Sequence, residues 1–197
     1  MSNPDETTLH EGKTFNNIDY AGKRLKNREF LRCEFHNCDF SNSDLSGNDF
    51  SDCKFFNCNF SLTKVIGTGF SNVSFTDCKV LGIDFAACNK FLFSFSFKKC
   101  ALDYSTFYGT KLKKTVFVDC SMKETDFESC DLSAAVFSGC DLLRTSFVKA
   151  NLEKADFRTA INFSIDPSTC NLKRARFSSS HLAGLLDQFN LDIDYNG

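Results

Sequence analysis

Any chemistry in this chain would have to start from its 11 cysteines and its three histidines, His10, His36 and His181. The cysteine count is odd and no CxxC pair occurs, which argues against a disulfide framework and against a zinc site, so the thiols read as reduced. The histidines fall near the start, in the first third and near the end, with neither metal-ligand spacing nor a nucleophile beside them. The run Gly67 to Gly69 lacks the GxGxxG and GK[ST] patterns and reads as a turn, not a phosphate loop. Scattered Asp, Asn and Ser suit turns, and single carboxylates among them read as solvated. No catalytic, cofactor-binding or metal-binding residue emerges. The expectation is a protein without cofactors that is not an enzyme.

What positions the cysteines is a period of five. From 92 to 157 every fifth residue is large and apolar: Leu92, Phe97, Leu102, Phe107, Leu112, Phe117, Met122, Phe127, Leu132, Phe137, Leu142, Phe147, Leu152 and Phe157. A helix repeats every 3.6 residues and a strand every two, so only a repeating coil supports this spacing, and the chain is a solenoid. The same spacing runs from Phe15 to Phe85 in a phase two residues out of step. One two-residue insertion therefore separates the runs, placed among Asn89, Lys90 and Phe91. Two residues before most of these apolar positions stands a small residue, as at Cys33, Ser43, Cys53, Thr63, Ser105, Thr115 and Ala135.

The stretches CDFSNSDLSGNDFSDCKF and CDLSAAVFSGCDLL carry this pattern most clearly, and over about residues 13 to 182 the chain resembles the pentapeptide-repeat proteins. The resemblance implies an all-β solenoid, a right-handed quadrilateral β-helix with one pentapeptide per side, whose apolar and small positions face inward. The four-sided reading predicts that like residues recur every 20. Stepping by 20, with two added at the insertion, one face collects Phe15, Phe35, Phe55, Phe75, Phe97, Phe117, Phe137, Phe157 and Phe177. The next face collects Cys38, Cys58, Cys78, Cys100, Cys120 and Cys140. Nine such coils at about 4.8 Å each make a rod of roughly 40 Å. Each ring buried in the lumen contributes about 1.5–3 kcal/mol, and the thiols, small and readily buried, belong to the same core.

Three regions follow. Residues 1–12 are polar and aperiodic and are expected to be loose. Residues 13–180 form the coil, with Lys13, Lys23 and Arg28 at inner positions of its first turn, which is read as a splayed polar cap. Residues 181–197 form a C-terminal cap: Ser180 is a plausible N-cap, Leu182, Leu185, Leu186 and Phe189 have helical spacing, and Leu191, Ile193 and Tyr195 alternate as a strand would. At the insertion, Phe91 and Phe93 are expected outward beside Lys111, Lys113 and Lys114. Those five are read either as a partner patch or as two rings packing on each other across a bulge.

The ending resembles the bacterial quinolone-resistance pentapeptide proteins (Qnr). That resemblance implies a homodimer through the C-terminal cap, with Leu182, Leu185, Leu186, Phe189, Leu191 and Ile193 as its interface, against the alternative of a lone capping helix. It also implies a type II topoisomerase as partner, DNA gyrase or topoisomerase IV, engaged by imitating acidic duplex DNA. A duplex carries one charge per about 1.7 Å, so a rod of roughly 40 Å would need on the order of 20 negative charges. The net charge is −2. Even the cysteine-column face sets Asp19, Asp39, Asp103, Asp141 and Glu124 against Lys79, Lys123 and Arg144. Full electrostatic imitation is not expected, and the two-residue interruption is shorter than the projecting loops of Qnr proteins. Direct nucleic-acid binding is not expected from so balanced a surface. No long apolar run and no secretory leader are seen, so no membrane contact and a cytoplasmic location are expected. The reading is a non-enzymatic protein-binding rod, Qnr-like or else a scaffold for another protein.

Overall fold

The computed structural model describes residues 7–192, which wind into a right-handed quadrilateral β-helix whose neighbouring coils pair in parallel. Its strands are β1 (Thr8–Glu11), β2 (Thr14–Asn16), β3 (Arg28–Leu31), β4 (Glu34–His36), β5 (Asp49–Ser51), β6 (Lys54–Phe56), β7 (Gly69–Thr76), β8 (Phe93–Lys98), β9 (Val116–Val118) and β10 (Val136–Ser138). Phe15 pairs with Phe35, Phe35 with Phe55, and so on at a step of 20 residues. All nine phenylalanines of that column stack, with ring centroids 4.6 to 5.6 Å apart. Inner positions from Phe30 to Ile165 are almost continuously buried.

Two kinds of corner close the square. In the turned corner the amide three residues on donates back to the apolar residue's carbonyl, as Ser43 does to Phe40 at 3.1 Å and Thr125 to Met122 at 3.2 Å. In the extended corner, which carries the strands, no such turn is made and that amide needs another partner. The cysteine column supplies one: the Cys38 amide donates to Cys58 Sγ, and the Cys58 amide to Cys78 Sγ, each at 3.4 Å. Each thiol in turn donates to a phenylalanine carbonyl of the coil before it, Cys58 to Phe35 and Cys78 to Phe55, both at 3.5 Å. Both kinds of corner pass through a left-handed residue two positions after the apolar one. Asn and Asp tolerate that conformation, as at Asn37 and Asp77, but Leu62, Lys114 and Ala134 adopt it too.

The structure alters several expectations. Order begins earlier than residue 13, because β1 pairs with β3 and sets His10 against Phe30. The insertion is three residues with one given back. Asn89 keeps the first phase, its amide donating to Thr68, whereas Phe70 pairs with Phe93. Lys90, Phe91 and Leu92 are therefore extra, and Ser71 and Asn72 then face Ser94 alone, which restores a net shift of two. Leu92, expected inward, lies half-exposed over Gly69, and Phe93, expected outward, pairs with Phe70 and is half-buried, packing edge-on to Phe95 at 4.7 Å. The C-terminal helix is two 3-10 segments, Ser179–Leu185 and Asp187–Phe189, capped by Ser178 and not by Ser180. Gly184 fixes this geometry: its carbonyl accepts from the Ile165 amide at 2.8 Å, so close to Phe163 that a Cβ would strike the Phe163 carbonyl. Of the expected terminal strand, Ile193 and Tyr195 lie outside the described residues.

Candidate functional site

The residue types with most chemical promise are used up in packing. All 11 cysteines are free, and ten of them are fully buried. Burial pushes the Cys53 thiol up to about 12 and raises Cys88 and Cys130 as well, so these are inert apolar fillers and not nucleophiles. His10 stacks on Phe30 with centroids 4.9 Å apart. His36 stacks outside the coil on Phe56, at 4.8 Å, with Glu34 beside it. Among the described residues no three His, Cys, Asp or Glu side chains converge as metal ligands, and no helix is long and apolar enough to cross a membrane.

The outer charges neutralise one another from coil to coil. Arg24 meets Asp44 at 3.2 Å, Lys54 meets Glu34 at 3.1 Å, Lys123 meets Asp141 at 3.3 Å and Arg144 meets Glu124 at 3.3 Å. The Arg158 guanidinium holds the Asp156 carboxyl below the usual carboxylate range, and hydrogen bonds from Ser41 do the same for Asp39. Such exposed pairs contribute at most about 1 kcal/mol each, but they leave no continuous acidic stripe.

What stands out on this neutral surface is the corner at the three-residue bulge. The Phe91 amide donates to Asn89 Oδ1 at 3.1 Å, an Asx turn that projects the ring, and Phe91 is 98% exposed. The same corner carries Ile66, 63% exposed, and Tyr108, 52% exposed, one coil before and one coil after Ala86. At the other end of that side stand Leu62 and Tyr104, 60% and 66% exposed. Between them the middle coil offers only Gly82, Asp84 and Ala86, so four large apolar side chains flank a shallow trough. A Cβ on Gly82 would lie 2.8 Å from Leu62 Cδ2, so a larger residue there would have to push that exposed side chain aside. Of the residues expected in a partner patch, Lys111, Lys113 and Lys114 lie on the face that continues from the bulge, with Lys113 held by Asp131 at 3.2 Å, and Phe93 is half-buried against the edge of Phe95. Ile66, Tyr108, Leu62 and Tyr104 were the residues missed. Their signal was available, since each is a large apolar residue at an outward position of the five-residue period.

The C-terminal end is the second apolar surface. Leu182, Leu186, Phe189 and Leu191 are exposed, while Leu185 alone packs against the core. Ile193 lies outside the described residues.

A family model for the pentapeptide repeat region matches residues 28–91 and 90–160. No curated protein matches the chain by sequence. Among solved structures, a trypsin-treated form of QnrB1, described as a plasmid-mediated fluoroquinolone resistance protein, aligns over 98% of this chain and 94% of its own, with 19% identity and a TM-score of 0.64. A second trypsin-treated form covers 92% of this chain and 100% of its own, at 16% identity and the same TM-score of 0.64. HetL from the cyanobacterium Nostoc sp. strain PCC 7120, a pentapeptide repeat protein involved in heterocyst differentiation regulation, aligns over 88% of this chain and 90% of its own, with 16% identity and a TM-score of 0.39.

Proposed function

Because the chain belongs to the pentapeptide repeat family, we propose that it acts without catalysis, as a rod that binds a protein, and that this partner is a type II topoisomerase, DNA gyrase or topoisomerase IV, in the cytoplasm. The observation that carries the reading is the corner where Phe91 projects beside Ile66 and Tyr108. Exposed rings around a small-residue trough are the kind of anchor that dominates protein interfaces. The topoisomerase is suggested by the fold shared with QnrB1, which bears on fluoroquinolone resistance. Contact is made through the apolar corner and not by acidic imitation of DNA, given the charge pairing along the coil.

Purified gyrase tests this directly. A molar excess of the protein is expected to change supercoiling, or to relieve fluoroquinolone inhibition, and Phe91→Ala is expected to weaken that effect about tenfold. No effect on gyrase or topoisomerase IV, with or without the drug, would leave a scaffold for another protein as the surviving function. Two rods joined end to end through Leu182, Leu186, Phe189 and Leu191 complete the proposal. Sedimentation should then return a dimer mass that Leu186→Asp lowers to the monomer; an unchanged mass removes this interface.

A further inference from the structure

The two ends of the lumen are closed differently, and the first coil leaves a space that every later coil fills. In the coils that follow, a small inner residue sits two positions before each inner apolar residue: Cys33 and Cys53 before Phe35 and Phe55, Ser43 and Thr63 before Leu45 and Val65. In the first coil three of these four places hold Lys13, Lys23 and Arg28, whose charges cannot stay in an apolar lumen. The two lysines are exposed and the arginine is half-buried. Their departure leaves a cavity of about 190 Å³ open at the N-terminal mouth, lined by His10, Phe15, Ile18, Tyr20, Leu25 and Phe30 among others. Apolar cavities of about this size take up single aromatic rings.

The mouth adds charge to this shape. Lys23 Nζ stands 5.8 Å from the Tyr20 ring centroid and donates to the Asp19 carbonyl at 2.6 Å. Arg28 donates to Thr8 Oγ1 and to the carbonyls of Lys26 and Asn27. Among the described residues none of Lys13, Lys23 and Arg28 has a carboxylate partner, so three cations ring an apolar hole. His10 is kept neutral by burial and by the charges of Lys13 and Arg28, and its buried Nδ1 has no hydrogen-bond partner among the described residues.

From this geometry we propose that the N-terminal mouth of the lumen binds a small aromatic carboxylate, its ring among Phe15, Tyr20 and Phe30 and its anionic group at Lys13, Lys23 and Arg28. The site is separate from the corner at Phe91 and does not rest on the partner reading. The chain's own residues 1–6, Met-Ser-Asn-Pro-Asp-Glu, offer carboxylates but no ring to fill such a hole.

The test titrates the full chain with 2-naphthoate, followed by the ring proton resonances and by the probe's fluorescence. Saturable binding of one equivalent is expected, with a Kd of about 1 mM or tighter, and the uncharged 2-naphthamide should bind at least about fivefold more weakly because it lacks the anionic group. The double variant Lys13→Cys with Lys23→Thr restores the small inner residues of the later coils; it should melt higher and lose the binding. A melting point that rises while binding persists would overturn the proposal, as would absence of saturation. Binding that appears only after residues 1–6 are deleted would give the cavity to the chain's own N-terminus and overturn it too. Lys149→Gln, far along the rod, should bind like the parent.

Discussion

Before the bulge at 90–92, two adjacent faces of the coil are extended, one carrying β1, β3 and β5 and the other β2, β4 and β6, with β7 running through both; beyond it only the second continues, through β8, β9 and β10. The face that changes does so at every level. Its inner residues are Phe30, Phe50 and Phe70 on one side of the bulge and Leu112, Leu132 and Leu152 on the other. Its corners end on Cys33, Cys53 and Val73 before it, and on Thr115, Ala135 and Ala155 after, with turn hydrogen bonds of 3.2, 2.9 and 2.9 Å back to the leucines. A five-residue period therefore does not fix one backbone. The residue three places after the apolar one tracks which corner forms: a thiol in the cysteine column takes up the amide that an extended corner leaves over, whereas Thr and Ala accompany a turn that satisfies it internally. Cys88 and Cys130 end turned corners, so the thiol permits the extended form without imposing it. The bulge is the place where one face exchanges one solution for the other, and the exchange ejects Phe91.

The face that stays extended as far as β10 offers the largest effect. Phe117→Ala removes one ring from an unbroken stack and should cost about 3–5 kcal/mol, whereas Lys113→Ala, at the surface of the switched face, should stay within about 0.5 kcal/mol. Equal denaturant midpoints for the two would break the inward assignment itself. A finer blow falls on the corner rule. Cys58→Thr, at an extended corner, should cost about 1–3 kcal/mol, because the shorter hydroxyl reaches the Cys38 amide poorly. Cys130→Thr, at a turned corner above Thr110, should cost less than about 1 kcal/mol. If urea melts rank these two the other way, the thiol is not what supports extension. The smallest effect has the opposite sign. Lys114 is held at φ +60 on a turned corner, so Lys114→Gly should stabilise by about 0.5–1 kcal/mol in the same melts, and Asn57→Gly, which replaces a residue already at ease in that conformation, should change little.

Much of this was legible because a solenoid converts sequence distance directly into spatial order. The phenylalanine column from Phe15 to Phe177 and the cysteine column from Cys38 to Cys140 could be written down by counting, and both appear as counted. Counting failed where the period failed. It placed Leu92 inside and Phe93 outside, since a net shift of two is equally consistent with two inserted residues or with three inserted and one returned. It also overlooked His10, whose ring stacks on Phe30 and extends the Phe30–Phe50–Phe70 column but whose residue type does not look like a member. At the candidate binding corner only Phe91 was in view, because attention to the inner positions passed over Leu62, Ile66, Tyr104 and Tyr108. At the far end, helical spacing of Leu182, Leu185 and Leu186 did not become an α-helix, because the Gly184 carbonyl is tied to the Ile165 amide and holds the segment against the last coil.

The order of residues alone determined that the chain coils, how many residues make one turn and which side chains fill the interior, since burial of rings every fifth position admits no other economical winding. Only the tertiary structure decided which corners turn and which extend, where the surplus residues leave the wall, and that three cations abandon the first coil and leave it hollow. Those outcomes depend on hydrogen bonds and contacts between residues some 20 positions apart, and such contacts exist only once one coil has been laid upon another.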